Sequence, residues 1–204
     1  MEIFDVIVIG GGASGMMAAG RAAERGKRVL LLEKNNALGE KLKISGGGRC
    51  NITNAEENEH LLLSRYGKAE QFLYSSFAQF GMSETFSFFE SHGLPLVVQA
   101  RNRAFPKTEK ACDVSATLER YMPAGGVTVR TKSAVRRIVG SNGRIEKLEL
   151  YGSECRANAY ILATGGTSRS ETGSTGDGFT WLAELGHIVQ QPTPTIVPLA
   201  VQDQ

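Results

Sequence analysis

A cluster of glycines near the start of the chain has the spacing that points most directly to chemistry. The sequence GGGASG at 10–15 follows a short apolar run, residues 6–9, and precedes small residues compatible with a helix. In a strand, turn and helix of this kind, Gly10 permits the tight turn, Gly12 lets a pyrophosphate approach the bare backbone, and Gly15 lets the helix pack closely on the sheet. This segment therefore predicts a site for a diphosphate.

An acidic residue follows this turn at the spacing found in dinucleotide-binding proteins. A second apolar run, residues 29–32, ends on Glu33, and an acid within ~20 residues of the turn can accept hydrogen bonds from an adenosine ribose. Its carboxylate would repel a 2′-phosphate, which argues against NADP at this site. Ala13 and Ser14 open the predicted helix, whose free N–H groups and dipole favour phosphates. A glycine turn in some other α/β protein is the alternative.

The composition is that of an ordinary globular domain with clustered glycine. The 204 residues suffice for one domain, or for one domain and the start of another. The 24 glycines concentrate at 10–15, 46–48, 165–166 and 173–178, which suggests backbone approaching a ligand. The net charge of +2, with both signs interspersed, gives no reason to expect a nucleic-acid or membrane partner. The sequence does not indicate an oligomeric state.

The cysteines and the first residues bear on location. Cys50, Cys112 and Cys155 are widely spaced without a CxxC pair, and an odd number fits a reducing compartment. The first strand begins so close to Met1 that no signal peptide is expected, and no apolar run approaches the ~20 residues of a membrane span. We expect a cytoplasmic protein. The three histidines are scattered, so no metal site is predicted.

A second glycine cluster lies between polar residues. Three consecutive glycines at 46–48 follow Ser45 and precede Arg49. They form either a flexible link or a loop that wraps a ligand, and the hydrogen-bond donors that follow, among them Asn51, favour the loop. Arg49 is the candidate functional charge in this loop. Cys50 is a candidate redox thiol, although no second cysteine is near it in the sequence.

The segment at 41–54 also carries a resemblance. It reads KLKISGGGRCNITN and resembles the KLxxSGGGRCNxTN signature of the BaiN-like, aminoacetone-oxidase-type FAD-dependent oxidoreductases of bacteria and archaea. These are distantly similar to fumarate reductase flavoproteins. Residues 102–114 resemble a further family pattern, GRxFPxSxKAxDV, with Asn102 in place of glycine, and residues 173–178 match GSTGDG. The resemblance implies FAD as cofactor, electron or hydride transfer with a small molecule, and NAD(P)H as a candidate reductant.

The resemblance also assigns residues. The sequence ATGG at 163–166 resembles a second FAD fingerprint, and Val135 is expected to read the adenine through its backbone. Asp177 either contacts the cofactor or balances a helix dipole. Arg103 and Lys107 either face the substrate side of the flavin or are surface charges on a hairpin. The predicted catalytic residues are Arg49 and Cys50. Arg49 is the candidate charge for stabilising a flavin anion or a substrate carboxylate. The predicted cofactor-binding residues are Gly10, Gly12, Ala13, Ser14, Gly15, Glu33, Lys34, Lys41, Ser45, Gly47, Gly48, Arg49, Asn51, Val135, Ala163, Thr164, Gly165, Gly166 and Asp177.

The predicted fold class is α/β, a Rossmann-like FAD-binding domain with a parallel sheet, an antiparallel β-meander insert and an α-helical insert. Residues 1–54 hold the βαβ unit and the glycine-rich loop, residues 55–125 a mostly helical insert, and residues 126–190 the meander and the return to the parallel sheet. Residues 191–204 are expected to begin a linker to a second domain absent from this chain. Family members run to roughly twice this length, so the resemblance implies an N-terminal portion.

Local patterns predict individual elements. Ser83 is expected to cap a helix that ends before Gly93, and Thr108 to cap a helix over 109–121. The six phenylalanines between 72 and 89 are expected to lie in the core. Strands are expected at 127–130, 134–139, 145–151, 154–156 and 159–163, with an Asn142-Gly143 hairpin turn among them.

Two other functions remain open from the sequence. A nicotinamide-dependent dehydrogenase would use only the opening βαβ unit, and the glycines at 46–48 and 165–166 would then have no role. A binding module that keeps the fold and has lost catalysis is the other alternative.

Overall fold

The chain folds around a six-stranded mixed β-sheet in the computed structural model, which describes residues 3–124 and 126–193. The strand order is β6-β2-β1-β9-β8-β7, and a second sheet has the order β3-β5-β4. The strands are β1 Ile3–Ile9, β2 Val29–Leu32, β3 Thr53–Asn54, β4 Leu96–Gln99, β5 Arg103–Pro106, β6 Val127–Arg130, β7 Val135–Ser141, β8 Arg144–Leu150 and β9 Glu154–Leu162.

Seven α-helices accompany the strands within the described residues. They are α1 Ala13–Glu24, α2 Glu40–Ile44, α3 Glu59–Ser64, α4 Glu70–Gln79, α5 Met82–Ser91, α6 Ala111–Ala124 and α7 Asp177–Glu184. Short 3₁₀ turns occur at Ser45–Gly48, Gly67–Ala69, Ala100–Asn102 and Ser170–Thr172. None of the helices in this part of the chain is long and apolar enough to cross a membrane.

The central strands are buried on both faces. Strand β1 pairs in parallel with β2 on one side and with β9 on the other, and β2 pairs in parallel with β6. Neighbouring residues of β1 belong to different cores: Val8 packs with Met16 of α1 and Leu118 of α6, whereas Ile7 packs with Trp181 of α7. This placement explains why residues 29–32 are uniformly apolar, since such strands have no solvent face.

Strand β9 differs from the prediction. Residues 154–156 and 159–163 were expected to be separate strands, but β9 is continuous, with Cys155 opposite Leu148 of β8 in an antiparallel ladder and Arg156 opposite Ile3 in the parallel ladder with β1. The prediction was wrong because Asn158 interrupts the apolar pattern, while Ala157 and Ala159 on either side of it both pair with β1. Residues 127–130 likewise do not belong to a meander, since β6 pairs with β2.

The hairpin between β7 and β8 confirms the predicted turn. Asn142 and Gly143 have φ values of 51° and 72°, and two positive φ values are what a two-residue hairpin turn with right-handed strand twist requires. The exposed pair Arg136 and Arg137 lies in β7, opposite β8.

The helical insert corrects the prediction that all six phenylalanines lie in the core. Phe89 is buried, whereas Phe72 is 81% exposed and Phe80 is 38% exposed. The reason is the position of α4, which neighbours α3 and the Gly67–Ala69 turn and has no buried residue. An apolar stripe at helical spacing identifies a face, but it does not identify what covers that face.

Two helix starts also differ from the prediction. Helix α5 begins at Met82, so Gly81 precedes it and Ser83 lies inside; the Gly81 N–H donates to Glu84 Oε2 at 2.9 Å. Helix α6 begins at Ala111, and Thr108 does not cap it. Glu109 has a φ of 53°, which is incompatible with a right-handed helix at the predicted first position. The expected end of α5 is confirmed, since Gly93 has a φ of 79°.

The predicted domain division remains a prediction. Of the predicted linker, residues 194–204 lie outside the described residues, as does residue 125 of the expected chain break after the helical insert.

Two glycines of the first turn are required by the packing itself. Gly10 has a φ of 107°, and a side chain there would lie against the backbone of Ala163. A Cβ at Gly15 would clash with the carbonyl oxygen of Gly10. Helix α1 therefore approaches β1 at a distance that only glycine allows.

We expect Gly15→Ala to lower the stability of the chain by about 3 kcal/mol, or roughly 6 to 12 °C in Tm, because the new methyl group must displace backbone. Differential scanning calorimetry measures the change. The matched control is Gly12→Ala, since no atom lies within 4 Å of a Cβ built there. Equal melting temperatures for the two variants would contradict the close approach of α1 to β1.

Candidate functional site

A cavity of about 420 Å³ lies at the carboxyl ends of β1, β2 and β9. Strand β1 lies beside β9 in the sheet, and the helices that follow them, α1 and α7, pack on opposite faces of the sheet. Ligands of open α/β sheets bind at such a switch point. The volume is within the range of small-molecule sites. Predicted site residues that line the cavity are Gly10, Gly12, Ala13, Ser14, Glu33, Lys34, Lys41, Ser45, Val135, Ala163, Thr164, Gly165 and Asp177.

The structure therefore brings the first glycine turn and the end of β9 to one place, although they are about 150 residues apart in the sequence. The remaining predicted residues do not line this cavity: Gly15, Gly47, Gly48, Arg49, Cys50, Asn51 and Gly166. Gly15 lies behind the turn, against Gly10.

The turn before α1 fits a phosphate group. Gly12 is extended, with a φ of −78° and a ψ of −175°, and a Cβ there would project into open space. Any residue can adopt this conformation, so the backbone alone does not require glycine here. No side chain caps the start of α1 among the described residues, and the N–H groups of its first turn have no intrahelical partners. Bare backbone at a helix N-terminus suits an anion.

Glu33 holds this turn in place. Its side chain is 7% exposed; Oε2 accepts a hydrogen bond from the Gly11 N–H at 2.7 Å, and Oε1 accepts one from the Asn35 N–H at 2.7 Å. Each carboxylate oxygen has a second lone pair, so Glu33 can still accept a hydrogen bond from a ligand hydroxyl. The acid predicted to bind a ribose thus also fixes the geometry of the phosphate turn.

A set of contacts, which we call the clasp, joins the end of β2 to the loop before α7. Lys34 Nζ donates to Thr175 Oγ1 at 2.7 Å and to Asp177 Oδ2 at 2.9 Å, and Asn35 Nδ2 donates to the Thr172 carbonyl at 3.0 Å. Burial raises the pKa of Asp177, but hydrogen bonds from Lys34 and Thr175 outweigh it and leave the pKa below its ordinary value. Asp177 is therefore held as a carboxylate.

Lys41 contributes a second positive charge to the cavity wall. Its Nζ lies about 4.0 Å from the position of a Cβ at Gly165. Burial lowers the pKa of Lys41, and the negative charge of Glu171 partly opposes this shift. An ammonium that loses hydration gains more from an anionic ligand than a solvated one does.

Several cavity residues were not predicted. Trp181 of α7, 7% exposed, lines the cavity, as do Asn35, Ser133 and Ser174. The signal for Trp181 was available, because it is the single tryptophan of the chain and follows Asp177 by one helical turn. Asn35 and Ser133 carry no such signal, since hydrogen bonds between distant parts of the chain place them. The Ser133 N–H donates to the Glu33 carbonyl, and the Lys132 N–H donates to the Asn35 carbonyl.

The triple-glycine segment is an ordered turn with one end at the cavity. Gly46, Gly47 and Gly48 have φ values of 55°, 67° and 83°, and the Cys50 N–H donates to the Ser45 carbonyl at 3.0 Å. Left-handed backbone costs an L-residue roughly 1 to 2 kcal/mol, which explains three successive glycines. Ser45 lines the cavity, whereas Arg49, which follows the turn, is not among the residues that line it.

A comparison with known proteins agrees with this geometry. The profile of the HI0933-like protein Rossmann domain matches residues 4–200. The chain belongs to this family. It is a FAD-binding Rossmann domain, and FAD is the cofactor that the resemblance implied.

Curated relatives of the HI0933-like domain include two enzymes. The 3-dehydro-bile acid delta(4,6)-reductase of Clostridium scindens is 32% identical over 96% of this chain and 47% of its own length. The ribosomal RNA dihydrouridine synthase of Escherichia coli K12 is 30% identical over 98% of this chain and 49% of its own length. The chain thus spans about half the length of the curated relatives it matches.

A solved structure supports the fold of the HI0933-like domain. Sdh1 of Mycobacterium smegmatis, in its apo form, superposes with a TM-score of 0.71 over 91% of this chain and 39% of that chain, at 20% sequence identity. At this identity the likeness concerns the fold alone.

Cys50 of the HI0933-like domain lies inside the core. It is 3% exposed, and burial raises the pKa of its thiol, although a hydrogen bond with Ser45 opposes the shift. The thiolate, which is the reactive form, is therefore disfavoured at neutral pH. The predicted redox role of Cys50 needs a change that exposes it.

Alkylation tests the state of Cys50. We expect iodoacetamide to label the exposed Cys112 first, and to label the buried Cys50 and Cys155 about 100-fold more slowly, since both must become exposed to react. Peptide mass spectrometry over time gives the three rates, with Cys155 as the buried control. Labelling of Cys50 at the rate of Cys112 would contradict the buried state and favour a reactive thiol.

The clasp should make stability depend on pH. Because the pKa of Asp177 is lower in the folded chain than in the unfolded chain, its carboxylate stabilises the fold above the unfolded pKa. This stabilisation is lost as the pH falls through the folded pKa. We expect Asp177→Asn to cost about 0.5 kcal/mol at neutral pH, since both side chains are partly exposed, and nothing at strongly acidic pH.

Urea unfolding of the chain across this pH range measures the effect. The loss of stability in Lys34→Met should have the same pH dependence as the loss in Asp177→Asn. The double variant should lose no more stability than either single variant, because the two residues act as a pair. Additive losses in the double variant would show that Lys34 and Asp177 stabilise the fold independently.

Proposed function

We propose that this chain holds FAD for an oxidoreductase that transfers hydride or electrons to or from a small molecule. The observation that carries the proposal is the cavity, where the Gly10–Ser14 segment of the first turn and the end of β9 meet beside Glu33. Two bare backbone turns and an acid suit an elongated diphosphate with a ribose at one end. Since the curated relatives are about twice as long, the activity belongs to the proposal.

The roles of individual residues follow from their chemistry. The N–H groups of Gly12, Ala13 and Ser14 would hold the pyrophosphate, Glu33 a ribose, and the backbone of Val135 the adenine. FAD supplies the hydride chemistry that protein side chains lack. The chain itself binds and orients the cofactor, and its buried walls exclude water.

The clasp gives Lys34 and Asp177 a second role in this proposal. Because their contact joins the end of β2 to the loop before α7, they would hold one wall of the cavity rather than contact the reacting atoms. Both residues line the cavity, so binding of the cofactor would strengthen the contact between these segments.

The proposed substrate is a small molecule, with NAD(P)H as the candidate reductant. The names of two relatives indicate a bile acid as the substrate of one and ribosomal RNA as the substrate of the other. The low net charge of +2 supports the small molecule. The cysteines are unpaired, which fits a reducing compartment and supports the cytoplasm as the proposed location.

A dehydrogenase that uses only the first βαβ unit fits the structure less well. In that case the end of β9 would have no reason to present Thr164 and Gly165 to the same cavity as Gly12. The other alternative, a module that keeps the fold and has lost catalysis, is distinguished by experiment, because it would not turn over NAD(P)H.

We expect the purified chain to bind FAD, seen as a flavin absorbance spectrum and as a change in flavin fluorescence on titration. Gly12→Val should weaken FAD binding about 100-fold, equivalent to ~2.7 kcal/mol, because the side chain fills the space beside the phosphate turn. The same variant should keep the Tm of the FAD-free chain, since nothing lies within 4 Å of a Cβ there.

The control substitution is Ala78→Val, on the exposed side of α4 away from the cavity. Unchanged FAD affinity in Gly12→Val would refute the phosphate site at this turn. Tight binding of NADH by a chain that does not bind FAD would favour the dehydrogenase instead.

A further inference from the structure

We propose that Arg49 and Arg103 form a subsite for the carboxylate of a small organic acid, beside the cofactor cavity. The proposal rests on the proposed function, and it names the class of substrate for that site.

The two arginines are gathered over one aromatic ring. The guanidinium carbon of Arg49 lies 4.5 Å from the centre of the Phe105 ring, and that of Arg103 lies 5.7 Å from the same centre. Phe105 is only 1% exposed, so the ring is fixed in the core. The attraction between a cation and an aromatic ring restrains both guanidinium groups against Phe105.

A carboxylate of the chain itself shows that the place accepts this group. Glu109 Oε1 accepts hydrogen bonds from Gln99 Nε2 at 2.6 Å and from Arg49 Nη1 at 3.3 Å. Arg49 Nη1 also donates to Gln99 Oε1 at 3.2 Å. Arg49 and Gln99 thus already form a donor pair around a carboxylate oxygen.

Glu109 is placed so that a ligand can replace it. The side chains of Arg49 and Glu109 are 38% and 49% exposed, and exposed ion pairs of this kind contribute little stability. Glu109 has a φ of 53°, an unfavourable conformation for a residue with a side chain. A ligand carboxylate that binds both edges of the guanidinium would compete well with the one hydrogen bond that Glu109 accepts from Arg49 at 3.3 Å.

The surrounding charge favours an anion. Residues 101–110 carry four basic side chains against the single acid Glu109, whereas the whole chain has a net charge of only +2. Positive charge is therefore concentrated on this hairpin, and Arg49 adds to it from the adjacent turn.

The triple-glycine turn connects this subsite to the cavity. Ser45, at one end of the turn, lines the cavity, and a Cβ at Gly46 would lie 3.4 Å from Phe105 Cε1. No atom lies within 4 Å of a Cβ built at Gly47 or Gly48, so the space beside the turn is open. A small acid held by Arg49 can therefore lie along bare backbone toward the cavity.

Isothermal titration calorimetry of the chain with benzoate, after incubation with FAD, tests the proposal, with benzamide as the uncharged analogue. We expect saturable benzoate binding that Arg49→Gln and Arg103→Gln each weaken by about tenfold, the scale of one charge-assisted hydrogen bond. Glu109→Gln should tighten benzoate binding, because it removes the competing carboxylate. Arg21→Gln is the matched control, since Arg21 is also an exposed arginine in an ion pair, with Glu24 at 2.6 Å.

Three results would overturn the subsite: benzamide binding as tightly as benzoate, an equal loss in Arg21→Gln, or weaker binding in Glu109→Gln. A single-stranded RNA oligonucleotide that binds more tightly and excludes benzoate would overturn the small acid as ligand. Flavin absorbance, recorded before each titration, shows whether FAD is bound, so that failure of the proposed function can be distinguished from failure of the subsite. A chain that binds FAD but not benzoate removes the subsite alone, whereas a chain that binds benzoate but not FAD removes the proposed function and leaves the subsite.

Discussion

The carboxylate of Glu33 is the constraint on which the rest of the site depends. This carboxylate is almost completely buried. Each of its oxygens accepts one hydrogen bond, from the N–H group of Gly11 or of Asn35. A buried carboxylate is tolerated only when it is hydrogen-bonded, so these two backbone groups and this side chain fix each other. The bond to Gly11 sets the turn before α1. The bond to Asn35 sets the start of the segment that reaches across to the loop before α7.

The site is built largely from backbone, and glycine occupies its positions for different physical reasons. Gly10 is required by conformation and by contact with Ala163, and Gly15 by the packing of α1 on β1. Gly12 has neither reason, because its backbone is ordinary and its surroundings are empty. A glycine that the fold does not require is best explained by a ligand. The open space at Gly12 is therefore stronger support for a phosphate site than the strained turn beside it.

Sequence reasoning succeeded where local pattern and structure share one cause. Residues 29–32 are apolar because both faces of β2 are covered, and Asn142-Gly143 forms a turn because its φ values are positive. It failed where the cause lies elsewhere in the chain. The partner of Lys34 is 143 residues away, and no local signal marks it. Helical spacing placed Phe72 on an apolar face, but nothing in that spacing says whether a neighbour covers it.

The continuity of β9 limits how this architecture can vary. The hairpin of β7 and β8 is not structurally independent, because β9, which pairs with β8, continues and pairs with β1. Extra residues in the turn at 151–153 would only lengthen a surface loop. One extra residue within Glu154–Leu162 would instead reverse the orientation of every following side chain, because side chains alternate along a strand. A graft of this hairpin from another protein must therefore preserve residue parity through the strand, or Tyr160 and Ile161 would exchange sides of the sheet.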